Sequence, residues 1–222
     1  MTTFVRPGLF RFLAELRRHN DREWFNANKE RYLGEVREPL LAFIGAVGPK
    51  LSAISPSLVA DARPSGGSLL RIYRDTRFTP DKTPYKTNAA LSFWVHGPEG
   101  ADAPGYYLHL EPRQVFMGAG LWRPSPDALR AIRHAIVKDP PGWKRAKRSA
   151  LSDGEPSLTR APRGFPADHP LVEDLKRTSF TIHVEFTERQ ACSPGFPALF
   201  VAACRRATPL MRFLSRAVGL AF

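Results

Sequence analysis

Apolar and polar residues alternate most clearly in the stretch "TNAALSFWVH". Ala89, Leu91, Phe93 and Val95 fall to one side, and Asn88, Ala90, Ser92, Trp94 and His96 to the other. A period of two is that of a strand with one buried face. "YYLHLEP" and "RQVFMGAGLW" carry the same alternation and predict a hairpin turning near Pro112 and Arg113, and "SFTIHVEF" predicts a strand that returns later. Elsewhere the period is helical. Leu9, Phe10, Leu13 and Leu16 recur behind Pro7, a residue suited to a first helical turn. Asn20 with Glu23 reads as a capping box opening the stripe Trp24, Phe25, Asn28, Tyr32. Pro39 predicts a kink or restart before Leu40, Leu41, Ile44, Val47 and Leu51. "SPSLVADARPSGGS" reads as a linker. Ser125 and Pro126 start a helix with Leu129, Ile132 and Ile136 on one side. A Pro-rich basic excursion with a short helix near Trp143 comes next, and the tail from Phe196 to Val218 is a helix that Pro209 should kink.

On one sheet, Leu70, Ile72, Leu91, Phe93, Leu108, Leu110, Val115 and Met117 make a common apolar face. That face requires helices on it. The expected fold is therefore α+β: a single domain over 1–222, with an antiparallel sheet and N-terminal and C-terminal helices packed on one face. Its parts are 1–55 (helical), 69–122 (sheet) and 124–222 (helix, basic loop, returning strand and C-terminal helix). The opposite face then holds Arg71, Tyr73, Asn88, Ser92, Tyr107, His109, Gly118 and Gly120. It is rich in tyrosine, and a strand glycine often marks a close approach by a ligand or another backbone.

Between the first helices and this alternation lies "LLRIYRDTRFTPDKTPYKTNAALSF". It gathers Arg71, Arg74, Arg77, Lys82 and Lys86 around only two carboxylates, Asp75 and Asp81. Arg71 is expected in a strand that ends near Asp75. Pro80 and Pro84 stiffen the loop beyond it, because each restricts the threonine before it. Fixed arginines and lysines suit phosphate or carboxylate. The competing reading is an ion network satisfied within the loop.

Composition adds less. The 222 residues carry a net charge of +12, with 25 arginines to 8 lysines, a bias that a GC-rich genome can produce without any negative partner. The cations are spread along the chain, so charge alone only permits a nucleic-acid partner. No apolar run approaches the roughly 20 residues of a membrane span, and the first residues lack the pattern of a signal peptide, so a cytoplasmic location with no membrane partner is expected. Cys192 and Cys204 form no disulfide or metal motif and read as small core residues.

His109 is the main acid–base candidate, since histidine titrates near neutrality, and Asp75 is a second catalytic candidate. Arg71, Arg74, Arg77, Lys82, Lys86, Tyr73 and Tyr107 are the candidate ligand-binding residues. His109 and Glu111 share a strand face but lack a third ligand at a diagnostic spacing, so no metal site is assigned. His169 with Asp168 reads as a turn or cap.

The motifs "NDREWFNANKERY", "RIYRDTRFTPDKTPYKTN", "GYYLHLEP", "GAGLWRPSPDALRAIR" and "DHPLVEDLKRTSF" run in order from about Leu9 to Phe186. Together they resemble an uncharacterised family of bacteria and fungi, domain of unknown function 2461. The resemblance implies no activity, cofactor or catalytic residue. The residues themselves point to binding of a small anionic, phosphorylated ligand at the basic loop and sheet face, with or without catalysis. The alternatives are a nucleic-acid-binding module and a structural or protein-interaction domain.

Overall fold

The structure, a computed structural model, describes residues 2–98, 102–148 and 157–222. Parts of the predicted loop after His96 and of the basic excursion after Trp143 lie outside the described residues. Helix α1 (Pro7–Arg18) starts at its proline and buries Leu9, Phe10, Leu13 and Leu16, with Arg17 and Arg18 at its negative end. Helices α2 (Arg22–Ala27) and α3 (Lys29–Tyr32) come next, and a wider π turn (Leu33–Arg37) leads into α4 (Glu38–Ser52). Pro39 explains that turn. It has no N–H for the carbonyl four residues back, and the widened turn accommodates the proline without ending the helical path.

The sheet has five antiparallel strands in the order β1 (Leu58–Val59), β2 (Ala89–Val95), β3 (Gly105–Glu111), β4 (Gln114–Leu121), β5 (Phe180–Phe186). Between β4 and β5 the chain forms α5 (Pro126–Lys138), α6 (Pro140–Lys147) and α7 (Val172–Leu175), and after β5 come α8 (Glu188–Ala191) and α9 (Phe196–Ala217). The helices cover one face. Leu91, Phe93, Leu108, Leu110, Val115 and Met117 are all buried there, as their alternation requires. Phe93 meets Phe200 of α9 at 5.6 Å between ring centroids, and Tyr106 donates its hydroxyl to the Cys204 carbonyl of α9 at 3.1 Å. α9 runs through Pro209 without interruption. The missing bond falls between Pro209 and Arg205, both exposed, where water can satisfy the freed carbonyl. No helix among the described residues is long and apolar enough to cross a membrane.

Four expectations change. The supposed linker supplies β1, too short to show an alternation of its own. Asp21, not Asn20, caps α2 by accepting from the Trp24 amide at 2.8 Å. The segment from Leu69 to Arg74 is no regular strand: only the bridges Leu69↔Leu91 and Tyr73↔Tyr85 form. Leu70 is 36% exposed, and Leu69, at 7%, takes the core position assigned to it. The ladder fails for a chemical reason. Pro84 accepts from the Arg74 amide at 2.9 Å but has no N–H to return to the Arg74 carbonyl. The backbone of Tyr85 faces away from this segment and is bound by Asn20, whose amide donates to Tyr85 O at 2.9 Å and accepts from Tyr85 N at 3.0 Å.

Gly120 is the residue that closes β4 onto β5. Its φ is +125°, and a Cβ there would stand 2.0 Å from the Phe180 carbonyl oxygen. At Gly118 the nearest atom to such a Cβ is 3.8 Å away. Gly120→Ala is therefore expected to destabilise the protein by about 3 kcal/mol or more, lowering Tm by roughly 6 °C or more. Gly118→Ala should leave Tm nearly unchanged. Thermal melts of the two variants check the contrast.

Candidate functional site

The basic loop is built from short-range turns. Asp75 accepts from the Arg77 amide at 3.2 Å and takes its guanidinium through two bonds, at 3.0 and 2.7 Å. Asp81 accepts from the amide and hydroxyl of Thr83, at 2.9 and 2.8 Å, and from the Arg74 guanidinium, which also reaches the Thr83 hydroxyl. The Thr83 amide, then Arg74, hold the Asp81 carboxyl down to about 2. Arg77 likewise lowers Asp75. Lys82 donates to the Thr76 carbonyl at 2.8 Å. Asn20, 65 residues away, pins the far side of the loop at Tyr85. Both carboxylates are thus engaged inside the loop. Arg71 and Lys86 have no ion pair or side-chain hydrogen bond among the described residues. Lys86 is half-buried, and burial first, then the Arg71 charge, lowers its pKa below the usual lysine value.

Beside the loop lies the sheet face that the described helices do not cover. Strand register sets two rows across it: Ser92, Tyr107, Gly118, His183, and Ala90, His109, Phe116, Glu185. Phe116 is stacked between two imidazoles, His109 at 4.7 Å and His183 at 4.3 Å. Along β3, the Tyr107 hydroxyl lies 3.1 Å from His109 Nδ1, and His109 Nε2 lies 3.2 Å from Glu111 Oε2. The Asn88 amide approaches His109 Nδ1 at 3.4 Å, and Thr87 donates to Glu111 Oε1 at 3.1 Å. Two donors therefore face Nδ1 and a carboxylate faces Nε2. These partners assign one tautomer: Nε2–H donates to Glu111, and Nδ1 accepts.

His109 has only 12% of its side chain exposed. Its burial, the larger effect, holds it below the usual histidine pKa, while the hydrogen bond and charge of Glu111 pull upward. Tyr107 is raised by burial and by Glu111, so it stays a donor. Chemically, this is a neutral imidazole oriented by a carboxylate and accepting a hydrogen bond from a phenol.

The structure brings together Tyr107 and His109, and it sets Arg71 near Lys86. It separates others. Tyr73, 53% exposed, packs by Phe25 and Tyr85 on the helical side. Arg74, Arg77 and Lys82 hold the loop to itself, and Asp75 serves Arg77 rather than His109. Phe116 and His183 are additions to the candidates drawn from sequence. The alternation of "QVFMGAGLW" and "SFTIHVEF" already puts them level with Gly118 and Glu185.

Residues 8–213 match the family described as conserved hypothetical protein (DUF2461), so the chain belongs to that family. No curated protein matches the chain.

Removing the Glu111 charge should move His109 further down. An NMR titration is expected to give a His109 midpoint below the ordinary value of about 6.5, and a lower one in Glu111→Gln. A midpoint at or above the ordinary value would refute the buried, neutral imidazole. The linked stability has a definite sign. The unfolded chain takes up the proton first as pH falls, so stability decreases from pH 7 downward through the histidine range. Denaturant midpoints should fall less steeply with pH in His109→Gln.

Proposed function

We propose that the protein binds a small anionic ligand, bearing phosphate or a like oxyanion, where the basic loop meets the sheet face. The observation that carries this reading is the pair Arg71 and Lys86, two neighbouring cations without a carboxylate partner among the described residues, one of them half-buried. Burial and like charge both disfavour the ammonium, and a bound anion would relieve both. Asn20 gives the loop a fixed seat, so less ordering is needed on binding. Asn88, two residues beyond Lys86, contacts His109. The reading therefore puts the Tyr107–His109–Glu111 relay beside the ligand as a polar, neutral wall with acid–base capacity.

Calorimetric titration with phosphate, nucleotides and sugar phosphates tests the reading. Each charge-assisted hydrogen bond contributes about 1.5–3 kcal/mol, so two or three of them should give wild type an affinity in the submillimolar range. Arg71→Ala and Lys86→Ala should each weaken binding by roughly tenfold or more with Tm unchanged, and affinity should fall as rising pH discharges Lys86. Absence of binding at millimolar ligand would overturn the proposal. Tight binding of single-stranded oligonucleotides with a steep log-linear salt dependence would point to nucleic acid instead.

A further inference from the structure

Away from the sheet face, the start of α5 and the chain around Pro162 enclose a cleft of about 530 Å³. Leu129, Pro162 and Phe165 form apolar walls, and Arg130, Arg133 and Arg163 supply three cations. A volume of this size suits a small organic molecule.

Arg133 is the unusual member. It is 9% exposed, yet no carboxylate pairs with it among the described residues. Its Nε donates to the Leu175 carbonyl at 2.7 Å and its Nη2 to the Arg177 carbonyl at 3.3 Å. Those two bonds fix the guanidinium plane without neutralising its charge. Nη1 has no partner among the described residues and is not sealed from solvent. Arg163 has no ion pair among the described residues either, and Arg130 reaches only the exposed Asp127, at 3.6 Å. Pro126, the first residue of α5, also lines the cleft, while the end of that helix is itself met by carboxylates, Asp102 accepting from the Ser125 amide at 3.0 Å and Asp127 lying in the first turn, so the cleft's positive charge comes from its arginines.

We propose that this cleft is a second binding site, one for an organic anion. A phosphate or carboxylate would bond the free edge of Arg133 and the exposed heads of Arg130 and Arg163, and an apolar body would lie on Leu129, Pro162 and Phe165. Each half of the site requires the other. A bare inorganic anion leaves the apolar walls without a partner, and a neutral apolar molecule leaves a buried guanidinium uncompensated. The site is independent of Arg71 and Lys86.

The test is an NMR titration that follows backbone amides and arginine Nε–H groups, with phenyl phosphate, benzoate and inorganic phosphate as probes. Phenyl phosphate or benzoate is expected to shift the Arg133 Nε–H and the Ala128 and Leu129 amides saturably, the tighter of the two identifying the preferred head group, while inorganic phosphate binds more weakly. Arg130 and Arg163 are exposed, so their replacement spares the fold. Arg130→Ala and Arg163→Ala should each weaken the aromatic anion by roughly tenfold or more, and Lys86→Ala should leave it unchanged. Phe165→Ala should weaken the aromatic anion but not inorganic phosphate. No saturable shift at millimolar probe, or shifts unaffected by both arginine variants, would overturn the site. Inorganic phosphate binding as tightly as phenyl phosphate would overturn its apolar half.

Discussion

Helix α9 lies against β4 and, through Phe200, against Phe93, and its backbone is tied to the sheet by the Tyr106 hydroxyl. Burial on that one side fixes the register of every strand, because a slip of one residue would turn Leu108, Leu110 and Met117 outward. The same constraint assigns the other face. Once the apolar set points at the helices, Tyr107, His109, Phe116 and His183 have nowhere else to go. Their neighbours across the strands are then set by pairing alone. The aromatic and imidazole stack is thus a by-product of core packing as much as of local chemistry.

The loop shows how charge density misleads when read without geometry. Five cations around two carboxylates suggest a surplus. Turn chemistry uses most of it: Asp75 and Asp81 each close a two-residue turn that also captures an arginine, and Lys82 takes a backbone carbonyl. What is left over is a pair of cations rather than a cluster. These turn contacts are exposed and screened, and such pairs shape a loop more than they stabilise a fold.

The one-sided α+β architecture is legible in the sequence because it derives from periodicity, which needs no tertiary information. The core residues of β2, β3 and β4, the Ser125 cap and the short helix at Trp143 all come from local pattern. What is not legible depends on contacts between distant parts of the chain. Nothing near Asn20 announces that it will bind Tyr85 rather than cap a helix. Nothing in "LLRIYRDT" says that its ladder will meet Pro84, which accepts from the Arg74 amide and has no N–H to return. Tyr73 departs from its expected side for the same reason: alternation holds only while a strand stays regular. The His109 relay is half visible. The spacing of Tyr107, His109 and Glu111 on one strand face is there to see, but not the stacking of Phe116 between two imidazoles.

The late arrival of β5 bears on how the protein is made. β2, β3 and β4 are contiguous hairpins and can pair as soon as residue 121 has left the ribosome. Their apolar face then waits for α9, which begins at Phe196, and β4 keeps an open edge until residues 180–186 appear. A nascent chain in that interval exposes both a bare hydrophobic sheet and an unpaired strand, the two features that recruit other chains into aggregates. The N-terminal helices, already synthesised, can shield only part of that surface, so this one stretch of translation is when the chain has the most apolar surface to lose to a wrong partner.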